Sequence, residues 1–190
     1  LVLSLQSHAQ EAARPAQKVG NKWVIERFDL WKQEVTGTRE NRLAEISDSM
    51  MKFESKDANS GNVLTVVVDF DGNVLEIDNR KFDSTQMLYS FPLSVGKKWQ
   101  FATGVLNATR TGKFDEKRSC EVVAFEDVTT KAGTFKAYRI KCDGTYEFRG
   151  GNQAFSGENF STRCYSPDAR YYVKHEYKTT GPRGVWDQYI

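Results

Sequence analysis

Few residues in this chain could carry out chemistry, and each has a plain structural reading beside it. His175 sits in Tyr171-Tyr172-Val173-Lys174-His175-Glu176-Tyr177. Imidazole exchanges a proton near neutral pH, so His175 is the natural candidate for acid–base work. Strand alternation groups it with Tyr171, Val173 and Tyr177, and a histidine on such an apolar face packs more often than it reacts. The pairs Asp115-Glu116 and Glu126-Asp127 could serve a hydrolase, which needs two carboxylates flanking its substrate. At strand ends and turns, they read as solvated surface. Asp69-x-Asp71-x-Asn73 begins like a calcium loop, but Val74 and Arg80 occupy the places where that loop needs Gly and Glu. There is no Gly-x-Ser-x-Gly elbow, His-Glu-x-x-His or P-loop. The sequence therefore assigns no catalytic, cofactor-binding or metal-ligating residue, expects no cofactor, and leaves His175 as the site candidate.

The cysteines are Cys120, Cys142 and Cys164, an odd number that cannot all pair within one chain. A hairpin turning at Lys131-Ala132-Gly133 sets Cys120 opposite Cys142, Val122 opposite Ile140 and Ala124 opposite Tyr138. The register that aligns the sulfurs also aligns the apolar faces, and a slip of one residue would reverse every side chain. A second hairpin built the same way sets Cys142 opposite Cys164 and Tyr146 opposite Phe160. The expectation is a row of sulfurs across three strands. Cys142 closes with Cys120 or with Cys164, and no disulfide is the third alternative. A leftover buried thiol behaves as a small apolar group. A flat row of three cysteines is a poor zinc site.

Strands must position all of these residues. Period-two alternation broken by Gly, Asn, Asp and Pro runs through nearly everything after residue 20, and no long window keeps a helical period. Strands are expected near 21–33, 42–54, 63–70, 73–79, 97–109, 113–126, 134–143, 144–149, 157–166, 170–179 and 184–190. The clearest hairpin turns at Asp71-Gly72, a pair suited to a type I′ turn. Val19-Gly20-Asn21-Lys22-Trp23 recurs as Val95-Gly96-Lys97-Lys98-Trp99. Each copy opens a long strand that meets a Thr-Gly turn, at Thr36-Gly37 and Thr111-Gly112, which points to an internal hairpin duplication. The fold class is all-β: an antiparallel meander curved into a barrel or half-barrel, with a two-sheet β-sandwich as the alternative.

Composition narrows the function classes. The chain has 190 residues, with 27 Lys+Arg against 25 Asp+Glu. That balance argues against a nucleic-acid partner. Mean hydropathy is −0.60, and no apolar run reaches the length of a spanning helix. Leu1 to Leu5 is apolar, and Ser7 and Ala9 sit where a signal peptidase wants small residues. Residues 1–9 read as a signal-peptide remnant, 10–19 as a flexible lead, and 20–190 as a single all-β domain. The expected location is periplasmic or secreted, where disulfides persist.

Three segments carry a family likeness. Phe91-Pro92-Leu93-Ser94-Val95-Gly96-Lys97-Lys98-Trp99, Val128-Thr129-Thr130-Lys131-Ala132-Gly133-Thr134-Phe135 and Tyr165-Ser166-Pro167-Asp168-Ala169-Arg170-Tyr171-Tyr172-Val173-Lys174 resemble motifs of bacterial exported proteins of the TapB-like domain-of-unknown-function family. The likeness covers about residues 88–190. It implies an antiparallel β fold in the envelope or outside the cell, and brings no active site. The residues have physical roles of their own. Gly96 turns the chain into a strand that Trp99 anchors, as Trp23 does in the first copy. Gly133 supplies a tight turn, and Pro167 ends a strand. The resulting expectation is an exported, non-catalytic envelope protein with a binding or structural role. One alternative is a carrier of an apolar or lipid-like ligand inside the curved sheet, and a second is a carboxylate-based hydrolase. The partner is an envelope protein or an apolar small molecule, and the oligomeric state is left open.

Overall fold

The computed structural model describes residues 11–182 and 184–189; the signal-peptide reading of residues 1–9 lies outside them. The strands are β1 (Lys22–Asp29), β2 (Glu34–Ile46), β3 (Met51–Asp57), β4 (Val63–Val68), β5 (Val74–Ile77), β6 (Arg80–Gln86), β7 (Lys98–Leu106), β8 (Gly112–Thr130), β9 (Gly133–Gly150), β10 (Gln153–Ser166), β11 (Tyr171–Gly181) and β12 (Gly184–Tyr189). Each pairs antiparallel with the next, so spatial order follows chain order. The sheet curls until β12 meets β1 through one pair, Asp29 with Tyr189. The result is a meander curved into a barrel-like shell, left open along most of that seam. One continuous ladder runs through all twelve strands, so the sandwich alternative does not form. Among the described residues no helix is long and apolar enough to cross a membrane.

Alternation puts one face of each strand inside. Along β3, Met51, Phe53 and Ser55 are buried, and along β8, Arg118, Cys120 and Val122 are. Two apolar clusters fill the interior. One gathers Leu93, Phe101, Val122, Tyr138 and Ile140, and the other Leu43, Met51, Phe53, Val68 and Val74. Close strand crossing demands glycine at Gly157, where a Cβ would stand 1.8 Å from the Thr180 carbonyl oxygen.

Several elements differ from expectation for local reasons. The strand read at 42–54 belongs to two strands, β2 and β3, because Ser47 and Met50 close a turn between them. The strands read at 134–143 and 144–149 are one, since Gly144 stays in the ladder between Arg118 and Asn159. β6 was not expected because Arg80–Gln86 holds one large apolar residue, Phe82. Thr36-Gly37 lies inside β2, and the turn comes earlier, where the Asp29 carboxylate accepts from the Trp31 and Lys32 amides. In the Asp71-Gly72 hairpin only Gly72 has positive φ, +86°. A type I′ turn needs two such residues; this loop instead spans three residues and ends on glycine. The Asp69 carboxylate accepts from the Asp71 and Asn73 amides and so serves the turn.

The two Val-Gly-x-x-Trp segments are built alike. The Gly20 amide donates to Leu43 O, and the Leu43 amide returns to Asn21 O. The Gly96 amide donates to Val122 O, and the Val122 amide returns to Lys97 O. Gly20 and Gly96 have φ of +92° and +90°, and each partner strand bulges directly after Leu43 or Val122.

Cys120 lies opposite Cys142 and is bonded to it, with Cα atoms 4.1 Å apart. Val122 faces Ile140 as expected, but the bulge then sets Ala124 opposite Arg139 and Phe125 opposite Tyr138. The sulfur row fails at the next hairpin. Its turn is only Gly151-Asn152, which pairs Cys142 with Ser161, Tyr146 with Gly157 and Cys164 with Arg139. Cys164 stands three residues from Ser161 and so faces the other side of the sheet. It is a free, buried thiol packed with Val128, Ala137 and Val173.

Candidate functional site

The curved sheet forms a partly open cavity of about 470 Å³ between β1–β5 and β10–β11. Its apolar wall is Met51, Phe53, Val66, Val68, Val74 and Leu88, mostly alternate residues of three short strands whose period of two aims them inward. Tyr165, Tyr171 and Tyr172 line the side formed by β10 and β11, and Tyr89 reaches in from the segment between β6 and β7. Tyr171 stacks on Trp23 at 4.6 Å and on Tyr172 at 4.6 Å. Pro15 and Gln17 also line it. They belong to the stretch read as a flexible lead, whose described part packs on the shell. Ala12 exchanges backbone hydrogen bonds with Leu93, and Gln17 Nε2 donates to Arg170 O at 2.7 Å.

Charge in the lining is unequal. Four arginines (Arg27, Arg39, Arg163 and Arg170) face two aspartates, Asp57 and Asp71. Arg39 lies 3.9 Å from Asp57, and Asp71 lies 3.7 Å from Arg14. Arg163 stands apart. Its guanidinium carbon sits 5.5 Å from the Tyr172 ring centroid and 5.7 Å from that of Tyr89, a cation between two aromatic faces. Nη2 donates to His175 Nε2 at 3.5 Å, and Nε is buried without a partner. Among the described residues no carboxylate forms an ion pair with Arg163. Three more buried polar atoms on lining residues lack a partner among the described residues: Gln17 Oε1, Asn41 Oδ1 and Tyr165 Oη.

The neighbouring groups are neutral. Burial pushes Tyr89 up to about 12 and raises Tyr165, Tyr171 and Tyr172. Burial first, then Arg163 and Arg118, pushes His175 down to about 2. No phenolate or imidazolium therefore alters the charge around Arg163 near neutral pH. The expected face of His175 is corrected in part. Val173 is an extra residue in β11 at the register shift, so it packs on the other side with Cys164. His175 instead sits 5.8 Å from the Tyr172 ring and 6.2 Å from the Tyr177 ring.

Beside this cavity lies a buried polar belt. Glu116 Oε2 accepts from Arg118 Nε at 2.9 Å and from Asn159 Nδ2 at 3.3 Å, and its Oε1 accepts from Gln86 at 2.6 Å. Arg118 Nη1 donates to Ser161 Oγ at 3.1 Å. Glu116 departs from the solvated-surface expectation. It lies inside β8, where alternation turns it inward and leaves Asp115 outside with Lys113. Glu126 and Asp127 pair with Arg139 and Lys136. Among the described residues no group of three His, Cys, Asp or Glu could hold a metal ion.

The anchors serve the shell around the cavity. Trp23 Nε1 donates to Ala169 O at 2.8 Å and Trp99 Nε1 to Met87 O at 2.9 Å. Gly133 follows the β8–β9 turn at φ +132°, and Pro167 follows β10 and accepts from the Arg170 amide. The disulfide and His175 both face inward, whereas Cys164 does not. Sequence reading missed Arg163, Asn41, Tyr89, Tyr165 and Tyr172. The available signal was Asn159, Ser161 and Arg163 at alternate places, which reads as an outer face but is an inner one.

No protein-family model matches the chain, and no curated protein matches it in sequence. The TapB-like resemblance thus rests on the quoted motifs alone. Two crystal structures are similar to it. One is of a candidate lipoprotein from Parabacteroides distasonis ATCC 8503, with TM-score 0.57, 16% identity, and coverage of 95% of this chain and 97% of that one. The other is of a candidate exported protein with a YmcC-like fold from Bacteroides fragilis NCTC 9343, with TM-score 0.55, 14% identity, and coverage of 94% and 96%. Identity this low carries the fold alone.

Proposed function

We propose that this chain is an exported, non-catalytic β protein that holds an apolar, lipid-like molecule inside its curved sheet. The cavity of about 470 Å³ carries the reading, since ligand pockets run from roughly 300 to 1,000 Å³ with mostly apolar walls. Its apolar wall comes from rigid strands, so the space is formed before a ligand arrives. Export is supported by the Cys120–Cys142 disulfide, which suits an oxidising compartment, and by the fold shared with a candidate lipoprotein and a candidate exported protein. A non-catalytic role is supported by the state of the reactive candidates. His175, pushed down to about 2, is a poor proton acceptor near neutral pH. Glu116 already accepts from three donors.

Native mass spectrometry of protein purified from its own compartment tests the reading. A population heavier than the chain by the mass of a lipid, lost on organic extraction, is the expected result. Bare protein that also fails to take up any alkyl ligand in solution overturns it.

A further inference from the structure

We infer that the cavity selects a single-chain amphiphile with a compact anionic head, carboxylate or phosphate, and that Arg163 receives the head. The inference rests on the cavity reading above and adds the ligand's chemistry. A guanidinium is charged at every working pH, and Arg163 is half-buried with its Nε covered, so covering it without a counter-charge is costly. Arg163 has aromatic faces at 5.5 and 5.7 Å and a neutral imidazole at 3.5 Å, but no ion pair with a carboxylate among the described residues. Its Nε, still unpartnered and buried, is a donor of the fork that binds a planar or tetrahedral oxyanion.

Two other unpartnered polar atoms line the same cavity. Tyr165 is 2% exposed, lines the cavity, and has a hydroxyl without a partner. It can donate to an oxyanion. Asn41 is 9% exposed with its Oδ1 unpartnered, and it can accept from a protonated or hydroxylated head. The wall of Met51, Phe53, Val66, Val68 and Val74 offers no polar side-chain atom, which suits an alkyl chain. Arg163, which forms no ion pair with a carboxylate among the described residues, favours an anion in the cavity and opposes a cation.

Calorimetric titration of the full chain with decanoate, decyl phosphate and decanol, each below its micelle concentration, tests this. The expected result is that at least one of the two anions binds roughly tenfold or more tightly than decanol. Which anion wins separates a carboxylate head from a phosphate head. Arg163→Met should erase the anion's advantage over decanol. Tyr165→Phe should reduce the advantage by several-fold. If decanol binds the native chain as tightly as both anions, the head-group inference falls while the cavity reading stands. If the advantage survives Arg163→Met, the assignment to Arg163 falls. If none of the three ligands binds and the protein purified from its own compartment is bare, both readings fall. The three-ligand comparison on the native chain decides the chemistry even if Arg163→Met does not fold.

Discussion

Arg163 Nη2 lies 3.5 Å from Nε2 of His175, so a permanent cation abuts a half-buried imidazole. Protonating His175 would place two positive charges side by side where both are only partly reached by water. Burial, Arg163 and Arg118 accordingly push it down to about 2 from an ordinary 6.5.

This makes the fold acid-sensitive in a defined window. The unfolded chain takes the proton near pH 6.5, and the folded chain resists it until about 2. The contribution is complete above about pH 6.5 and is lost progressively as pH falls, by up to about 1.4 kcal/mol per unit. Urea midpoints at pH 7 and pH 5 should drop steeply for the native chain and less for His175→Gln. Equal drops would show that His175 does not set the slope.

Thiol chemistry should report one disulfide and one hidden thiol. The denatured, unreduced chain should titrate as one thiol, and the folded chain as none, because Cys164 is buried and burial also raises its pKa. Cys120→Ser with Cys142→Ser should cost about 3 kcal/mol for a link spanning 22 residues. Denaturant melts of oxidised and variant protein check it.

Gly157→Ala should destabilise by about 2 kcal/mol or more, because the new Cβ meets the Thr180 carbonyl, which is backbone and cannot swing away. Gly37→Ala is the control. No atom lies within 4 Å of a Cβ there, so the change should be neutral or stabilise by about 0.5 kcal/mol. Thermal melts of both variants read the contrast.

Glu116→Gln should cost about 3–5 kcal/mol, because it strands the Arg118 guanidinium, whose side chain is 7% exposed. Arg118→Met combined with Glu116→Gln should recover much of that loss. A double-mutant cycle by urea unfolding measures the coupling. Additive losses would mean that the two residues act independently.

The repeated Val-Gly-x-x-Trp segments show how far spacing alone reaches. Their likeness in sequence marks two turns that enter strands with the same backbone bonds, Gly20 with Leu43 and Gly96 with Val122. The matched partners are Leu43 and Val122, not residues at the spacing of the repeat itself. Each strand comes back through a turn of its own length, which moves the register.

The residues by themselves determined that this is a β protein and where most hairpins lie, and they set Cys120 opposite Cys142 while leaving open whether Cys142 closes with Cys120, with Cys164 or with neither. Those follow from period-two alternation and from one short turn, which are local properties. Only the tertiary structure decided the rest. Alternation separates two faces of a strand but does not say which faces inward. In β10 the inner face is Asn159, Ser161, Arg163 and Tyr165, and the small apolar Cys164 lies on the other side. A two-residue turn at Gly151-Asn152 and an extra residue at Val173 set the registers that separate Cys164 from Cys142 and bring His175 to Arg163. The cavity needs strands from both ends of the chain. Curling the sheet until β11 faces β3 is what places Tyr171 against Phe53 and closes the space between them.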